Sequence, residues 1–144
     1  MLNKKSEANL ETAKFCLEKK DRSFYSVGAS RAYYAIFQAT KFFLVLNSFD
    51  YKQFKTAEPR ARRQRDYAHG SISMALEYFL HTNGFNSEGD LRFIDKMYTT
   101  FYRLYNLRLK GDYKEAVINK KDLKKAIVSA EMFITELKKY NKEG

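Results

Sequence analysis

The stretch SRAYYAIFQATKFFL, residues 30–44, is the densest apolar part of the chain and decides its fold class. Its apolar residues recur at intervals of three and four, the spacing that lines up side chains on one face of an α-helix. This helix is predicted to begin near Asp21 or Ser23, either of which can cap it, and to end near Asn47. Gly28 lies inside it and weakens it by up to ~1 kcal/mol relative to alanine, so we expect a close helix contact there.

Helical spacing continues through most of the remaining sequence. Further helices are predicted at about residues 3–20, 68–81, 89–109 and 120–140, and Gly111 is predicted to stop the fourth. The chain has one proline and six glycines, and no strand-like alternation interrupts the helical pattern. Since the connections are mostly short, the sequence predicts a single all-α domain over residues 1–144, an antiparallel bundle of four to five helices.

Residues 48–67, SFDYKQFKTAEPRARRQRDY, break this pattern and are predicted to form a long loop or mobile linker. Between residues 52 and 65, Glu58 is the sole acid beside six cations, which are Lys52, Lys55, Arg60, Arg62, Arg63 and Arg65. Two interpretations stay open: a surface that neutralises nucleic-acid phosphates, or a solvated loop. The interleaved Tyr51, Phe54 and Tyr67 favour nucleic acid slightly, because aromatic faces can stack unpaired bases.

The overall charge points in the same direction. The 144 residues include 27 Lys and Arg against 17 Asp and Glu, a net charge of +10. This balance favours nucleic acid or an acidic partner over a neutral metabolite. The longest apolar run, residues 42–46, is far below the roughly 20 residues that cross a bilayer, and no secretory signal is visible at the start. A cytoplasmic protein without membrane contact is therefore expected.

Metal and redox chemistry find little support in the sequence. Cys16 is the single cysteine, which excludes an internal disulfide and a multi-cysteine zinc site. The two histidines, His69 and His81, are twelve residues apart and have no acidic cluster beside them. We predict no metal and no cofactor. His69 begins a helix at YAHGSI, where it can cap the helix or donate a proton to a bound phosphate.

The first candidate motif lies at the start of the quoted stretch. Arg31 shares a helical face with Tyr34, while Tyr33 and Tyr34 both reach towards Phe37. Aromatic bodies in the core with phenolic hydroxyls at its edge satisfy this pattern, provided that the hydroxyls find partners. Core packing is the favoured interpretation of these residues.

The second candidate motif is RLYNLRLKGDY, residues 103–113. Arg108 and Asp112 are four residues apart and share a face if the helix continues, and Tyr113 follows at the helix exit. An arginine at this position can clamp a phosphate with two hydrogen bonds. The alternative is an ion pair that closes the helix end, worth only ~0.3–0.5 kcal/mol when exposed.

Together these two stretches resemble the HEPN domain, a helical family named for its occurrence in higher eukaryotes and prokaryotes and for nucleotide binding. AHGSI, residues 68–72, also looks like the corresponding helix start in small bacterial and archaeal members, and the resemblance covers about residues 5–140. It implies a bundle of four or five helices that is commonly dimeric. It also implies a role with nucleic acid, since many members are metal-independent ribonucleases of toxin–antitoxin or defence systems, often encoded beside a minimal nucleotidyltransferase.

The nucleases of this family use an arginine followed, after four to six residues, by a histidine. The histidine acts as general acid or base, and the arginine stabilises charge developing on the phosphate. Arg108 matches the arginine, but the positions allowed for the histidine hold Tyr113, Lys114 and Glu115. Asp112 is a poor substitute, because an ionised carboxylate repels the phosphate.

Two replacements for the missing histidine stay open. Arg63 and His69 are separated by five residues and satisfy the family's spacing, although four arginines between positions 60 and 65 make a chance match easy. The other is a composite site that pairs Arg108 with His69 across the bundle or across a dimer interface.

The resulting hypothesis is a HEPN-like module that binds nucleic acid, a nucleotide or a partner in a toxin–antitoxin or defence-type system. It would act through Arg108, Tyr113 and the basic stretch, as a homodimer, with Arg31 and Tyr34 helping to position Arg108. One alternative is a metal-independent ribonuclease toxin using Arg108 with His69 or Tyr113 as an unconventional acid or base. A second is a structural dimer that docks a nucleotidyltransferase partner.

Overall fold

The computed structural model describes residues 4–112 and 118–141, and this part of the chain is all-α, without a strand. The helices are α1 Lys4–Leu17, α2 Ser23–Leu46, α3 Tyr51–Ala57, α4 Ile72–Thr82, α5 Glu88–Asp112 and α6 Lys120–Lys138. The predicted all-α helical bundle is confirmed.

Helix α2 is the centre of the bundle and packs against α1, α4, α5 and α6. It begins where predicted, because the Asp21 carboxylate accepts hydrogen bonds from the backbone N–H and the hydroxyl of Ser23, both at 2.9 Å. Small residues allow the neighbouring helices to approach, since Ala29, Ala32 and Ala35 are fully buried. The helix that carries the first candidate motif is therefore enclosed on most sides.

Gly28 marks a close contact between α2 and two other helices. A Cβ added at this glycine would lie 2.8 Å from Leu123 Cδ2 of α6 and 3.1 Å from Cys16 Cβ of α1. Both distances are too short for a comfortable carbon–carbon contact, so the absence of a side chain lets three helices meet. The expected close helix contact at Gly28 is confirmed.

Gly111 was predicted to stop the fourth long helix, and the described helix ends one residue after it. Helix α5 continues through Gly111 to Asp112. A Cβ at Gly111 would lie 2.9 Å from Ile118 Cδ1 and 3.2 Å from the Cβ of Ser26 in α2. The absence of a side chain at Gly111 allows the close approach of these segments, and the end of α5 therefore lies directly against the start of α2.

Residues 48–67 are not the long loop or mobile linker predicted above. They contain helix α3 and a 3₁₀ turn at Pro59–Ala61. The Asp50 carboxylate caps α3 by accepting a hydrogen bond from the Gln53 backbone at 3.0 Å. Tyr51 and Phe54 are 7% and 1% exposed, so one face of this short helix is buried in the core. Seven residues are too few for the periodicity to be visible in the sequence.

Candidate functional site

Tyr33 is the residue around which the candidate site is built. Its side chain is 2% exposed, and its ring contacts Tyr34 on the same helix and Phe101 and Tyr105 on α5. Its hydroxyl lies 2.9 Å from Nδ1 of His69, in the segment before α4. The aromatic group formed with these partners is called the Tyr33 cluster; its members are Tyr33, Tyr34, Phe37, His69, Phe101 and Tyr105.

His69 is fixed in orientation by this cluster. Its ring stacks on Phe37 with centroids 4.4 Å apart, which covers one ring face although the residue as a whole is exposed. Burial of that face lowers the pKa of His69, and the positive charges of Arg108 and Arg65 lower it further. The imidazole is therefore neutral at pH 7. Its Nε2 has no hydrogen-bond partner among residues 4–112 and 118–141, and it is the atom left to meet a ligand.

Arg108 reaches the same cluster from α5. Its guanidinium carbon lies 5.1 Å from the centre of the Tyr34 ring and 5.8 Å from that of Tyr33, within the range of cation–π interaction. Within the described ranges the guanidinium makes no ion pair with a carboxylate. The Arg108–Asp112 pair weighed from the sequence lies outside this description, because the side chain of Asp112 is not part of it.

Arg108 and His69 are thus brought together within one chain, on the rings of Tyr33 and Tyr34. The sequence left open whether such a composite pair would form across the bundle or across a dimer interface, and the bundle alone is sufficient. Burial raises the pKa of Tyr33 far above its ordinary value, so its phenol stays protonated at neutral pH. A phenol can donate to or accept from Nδ1, so either tautomer of His69 is compatible with this bond.

The two residues expected to position Arg108 behave differently. Tyr34 contacts the guanidinium directly. Arg31 is exposed, and its Nη1 donates a 3.3 Å hydrogen bond to Oδ1 of Asn9, which links α2 to α1. Positioning of Arg108 is therefore a role for Tyr34, together with Tyr33, through ring contact.

Half of the cations in residues 52–65 are bonded to neighbouring parts of the chain. Lys55 pairs with Asp66, and Arg60 pairs with Glu58 at 2.8 Å. Arg62 donates to the carbonyls of Lys55 and Thr56 at 3.2 and 3.1 Å, the last carbonyls of α3. These three residues stabilise the local fold of the segment.

The other three cations are more available. Lys52, Arg63 and Arg65 are exposed, and none forms an ion pair with an acid in the described part of the chain. Arg65 is close enough for its charge to lower the pKa of His69. The exposed part of the basic stretch therefore extends towards the Arg108–His69 pair.

The aromatic residues of the basic stretch do not offer faces for stacking bases, contrary to the interpretation above. Tyr51 and Phe54 are buried, and Tyr67 packs edge-on against Tyr51 with centroids 4.4 Å apart. We call this second group the Tyr51 cluster; its members are Phe49, Tyr51, Phe54, Tyr67 and Tyr78. Its rings are used for packing because a short helix needs a large apolar contact to stay folded.

Some predicted site residues lie outside the described residues, and some contacts were not predicted. The residues that lie outside the described ranges are Tyr113, Lys114 and Glu115. The contacts that were not predicted are those of Phe101 and Tyr105 with Tyr33. Phe101 is buried, whereas Tyr105 is 39% exposed and contacts Tyr33 from the edge of the core. Its position three residues before Arg108 was the available signal.

The described residues also bear on metal and membrane binding. Residues 4–112 and 118–141 contain no group of three or more His, Cys, Asp or Glu side chains that could hold a metal ion. Among the helices in these ranges, none is both long enough and apolar enough to cross a membrane.

Comparison with known proteins supports the resemblance seen in the sequence. The model of the HEPN domain family matches residues 1–140. A protein of Methanocaldococcus jannaschii named "Putative toxin MJ0605" is 32% identical over 138 residues, which cover 96% of this chain and 84% of that protein. No solved structure matches the chain. Since both matches extend along nearly its whole length, the chain belongs to the HEPN domain family.

Proposed function

We propose that this chain is a toxin-type HEPN module that binds RNA, with Arg108 and His69 holding a phosphate. The observation that carries the proposal is the meeting of Arg108 and His69 on the rings of Tyr33 and Tyr34. The toxin name of the relative from Methanocaldococcus jannaschii supports the same class of function. The net charge of +10 favours a polyanionic ligand.

The chemistry of the two side chains suits a phosphodiester. The guanidinium of Arg108 has donors arranged in a fixed fork, and cation–π contact with Tyr34 holds it in place. His69 offers Nε2 while Tyr33 holds Nδ1. A bound phosphate stabilises the imidazolium and so raises the pKa of His69 from its lowered value. RNA binding is therefore accompanied by proton uptake and strengthens as the pH falls towards the pKa of this histidine.

The exposed cations Lys52, Arg63 and Arg65 extend the site along the RNA backbone in this proposal. Each phosphate that they neutralise releases counterions, which makes the affinity fall with salt. Lys55, Arg60 and Arg62 contribute less, because they are already bonded to Asp66, Glu58 and the end of α3.

The test is the affinity for a labelled single-stranded RNA, measured over a salt series for the wild type and two arginine variants. Arg108→Ala is expected to weaken binding strongly and to reduce the slope of log K against log salt by about 0.7, the value for one phosphate contact on a single strand. Arg103→Ala is the matched control, since it removes the same charge from an exposed position on the same helix. Absence of RNA binding by the wild type at low salt would refute the proposal, and so would equal losses for the two variants.

A second candidate function is RNA cleavage at the same site, favoured by the neutral imidazole that Tyr33 orients beside Arg108. In a reaction without metal, the 2′-hydroxyl of RNA attacks the adjacent phosphate as His69 Nε2 takes its proton. The phosphate becomes cyclic, and the 5′-oxygen leaves with a proton taken from water. Arg108 stabilises the charge on the phosphate oxygens during this step.

Incubation of RNA with the purified protein in the presence of a chelator tests this candidate. We expect His69→Gln and Arg108→Ala to abolish cleavage. His81→Gln is the matched histidine control, because His81 lies near the end of α4, where its ring is hydrogen-bonded to Asn86. Intact RNA with the wild type, or equal cleavage by His69→Gln and His81→Gln, would remove the enzymatic candidate while leaving RNA binding in place.

The proposal extends to assembly. A toxin-type module is held inactive by an antitoxin, and we propose that this chain acts in the cytoplasm as a homodimer with a nucleotidyltransferase-type partner. Light scattering after size-exclusion chromatography measures the mass in solution. The mass of a single chain would contradict the proposed homodimer. Co-purification with the product of a neighbouring gene tests the proposed partner.

A further inference from the structure

A pocket with a volume of about 340 Å³ adjoins the Arg108–His69 pair. It lies between α5 and the segment that leads into α4, and His69 forms part of its wall. Five of its eight lining residues are tyrosine or phenylalanine, namely Tyr33, Tyr98, Phe101, Tyr102 and Tyr105. The phosphate site proposed above therefore opens on one side into an aromatic pocket.

The tyrosines of α5 leave much of their surface uncovered. Tyr98, Tyr102 and Tyr105 follow one another at intervals of four and three residues, so they share one face of the helix. Tyr102 is 71% exposed and Tyr105 is 39% exposed, unlike the rings of the Tyr51 cluster, which are all buried or partly buried. An aromatic side chain this exposed adds little to the core. The rings of Tyr102 and Tyr105 are therefore available to a planar ligand.

The size of the pocket and its polar groups further limit the class of ligand that it can bind. Its volume lies at the low end of the roughly 300–1,000 Å³ typical of small-molecule sites, which suits one nucleobase better than an extended stack. The Tyr98 hydroxyl donates to Oε1 of Glu77 at 2.6 Å, so its oxygen lone pairs remain as acceptors. Ser73 adds a hydroxyl at the wall. A pocket that offers ring faces and few polar groups binds a base by stacking, and it does not discriminate strongly between the four bases.

The position of the pocket connects it to the backbone site. Tyr33 and His69 line the pocket. The ring of Tyr33 contacts the guanidinium of Arg108, and His69 is close enough for the charge of Arg108 to lower its pKa. A nucleotide whose phosphate is held by Arg108 and His69 has its base within reach of Tyr102 and Tyr105. We propose that this pocket binds one unstacked base of single-stranded RNA, an inference that rests on the proposed RNA-binding function. Duplex RNA is excluded from the pocket because its bases are paired and stacked.

The experiment compares two probes of equal length, a fluorescein-labelled unstructured RNA strand and the corresponding fully abasic ribose-phosphate strand. Tyr102→Ala is expected to weaken binding of the normal strand about 5- to 150-fold, the range that corresponds to ~1–3 kcal/mol per stacked base. It should leave binding of the abasic strand unchanged. Tyr102→Phe keeps the ring and should bind both strands like the wild type. Because residue 102 is so exposed, both variants are expected to fold.

The outcomes separate the pocket from the backbone site. If Tyr102→Ala binds the normal strand like the wild type while Arg108→Ala does not, the base pocket is refuted and the proposed function stands. If Tyr102→Ala weakens the normal and abasic strands equally, the ring acts on the backbone and the base pocket is also refuted. Absence of binding to either strand by the wild type refutes both proposals. If Tyr102→Ala changes only the mass in solution, the ring belongs to a protein interface and the pocket inference is wrong.

Discussion

The two aromatic clusters of this protein have similar compositions and different arrangements. Both combine tyrosines and phenylalanines with nearby arginines. In the Tyr51 cluster every ring is buried or partly buried, and Arg60 and Arg62 are bonded to Glu58 and to carbonyls of α3. In the Tyr33 cluster, Arg108 lies on ring faces without an ion pair in the described ranges, beside a histidine and an open pocket. Local pairing and exposure, rather than residue types, separate a packing region from a candidate binding region.

The largest expected effect tests whether the Tyr51 cluster is a structural core. Phe54→Ala removes a ring that is 1% exposed and should lower the free energy of unfolding by about 3–5 kcal/mol. Phe15→Ala is the matched control on the exposed side of α1, and should lower it by no more than about 1 kcal/mol. Urea denaturation measures both. Equal losses for the two variants would mean that residues 48–67 do not fold against the bundle.

Removing one hydroxyl from each cluster should change the free energy of unfolding in opposite directions. The buried Tyr51 hydroxyl lies near Ser71 and the Tyr67 backbone, but within the described residues no contact there has hydrogen-bond geometry. Tyr51→Phe should therefore raise the free energy of unfolding by up to about 1–3 kcal/mol. Tyr33→Phe breaks the bond to His69 and should lower it by about 0.5–1.5 kcal/mol. If both changes destabilise in urea denaturation, the hydroxyl of Tyr51 has a partner and the contrast fails.

A smaller effect distinguishes the bonded from the unpaired arginines of the basic stretch. Arg62→Ala removes two donors from the last carbonyls of α3 and should cost about 0.5–1.5 kcal/mol of unfolding free energy. Arg63→Ala should change it by no more than about 0.5 kcal/mol. RNA affinity should respond in the reverse order, with the greater loss for Arg63→Ala. The assignment of roles would be wrong if Arg63→Ala were the more destabilising change.

The smallest expected effect is a pH dependence of stability that arises from His69. Its pKa is lower in the folded chain than in the unfolded chain, so the unfolded state takes up the proton more readily. The stability associated with the neutral ring is fully present above the ordinary histidine pKa of about 6.5 and is lost as the pH falls through the lower, folded value. His69→Gln should flatten this part of the profile, whereas His81→Gln serves as the reference. Identical profiles for the wild type and His69→Gln would contradict the shift.

Much of the fold was predictable because the long helices carry strong local signals. Helix α2 was expected from Asp21 or Ser23 to about Asn47 and extends over Ser23–Leu46. The signals for α3 were weaker, since only Tyr51 and Phe54 mark its buried face, although Asp50 is a recognisable cap. The end of α5 was predicted to within one residue at Gly111, but the close packing of this glycine against Ser26 was not, because it depends on the position of α2.

The candidate site was predictable in its parts but not in its assembly. Arg108, His69 and Tyr33 were each identified from the sequence, yet their positions along the chain are far apart. They meet because α5 packs against α2 while the segment before α4 crosses Phe37. Such proximity depends on tertiary packing, which no local spacing encodes. The exposure of Tyr102 could not be predicted for the same reason, because the sequence does not say which face of α5 remains open.

The two histidines of this chain form a built-in spectroscopic pair. His69 is held by Tyr33 at the candidate site, whereas His81 bonds Asn86 and Glu77 at the far end of α4. Imidazole resonances in a nuclear magnetic resonance spectrum therefore report on the Arg108–His69 pair and on a second position near the end of α4 in the same sample. Nitrogen shifts read the tautomer of His69 directly. Ligand entry can thus be followed in the native protein without an attached dye or a substituted residue.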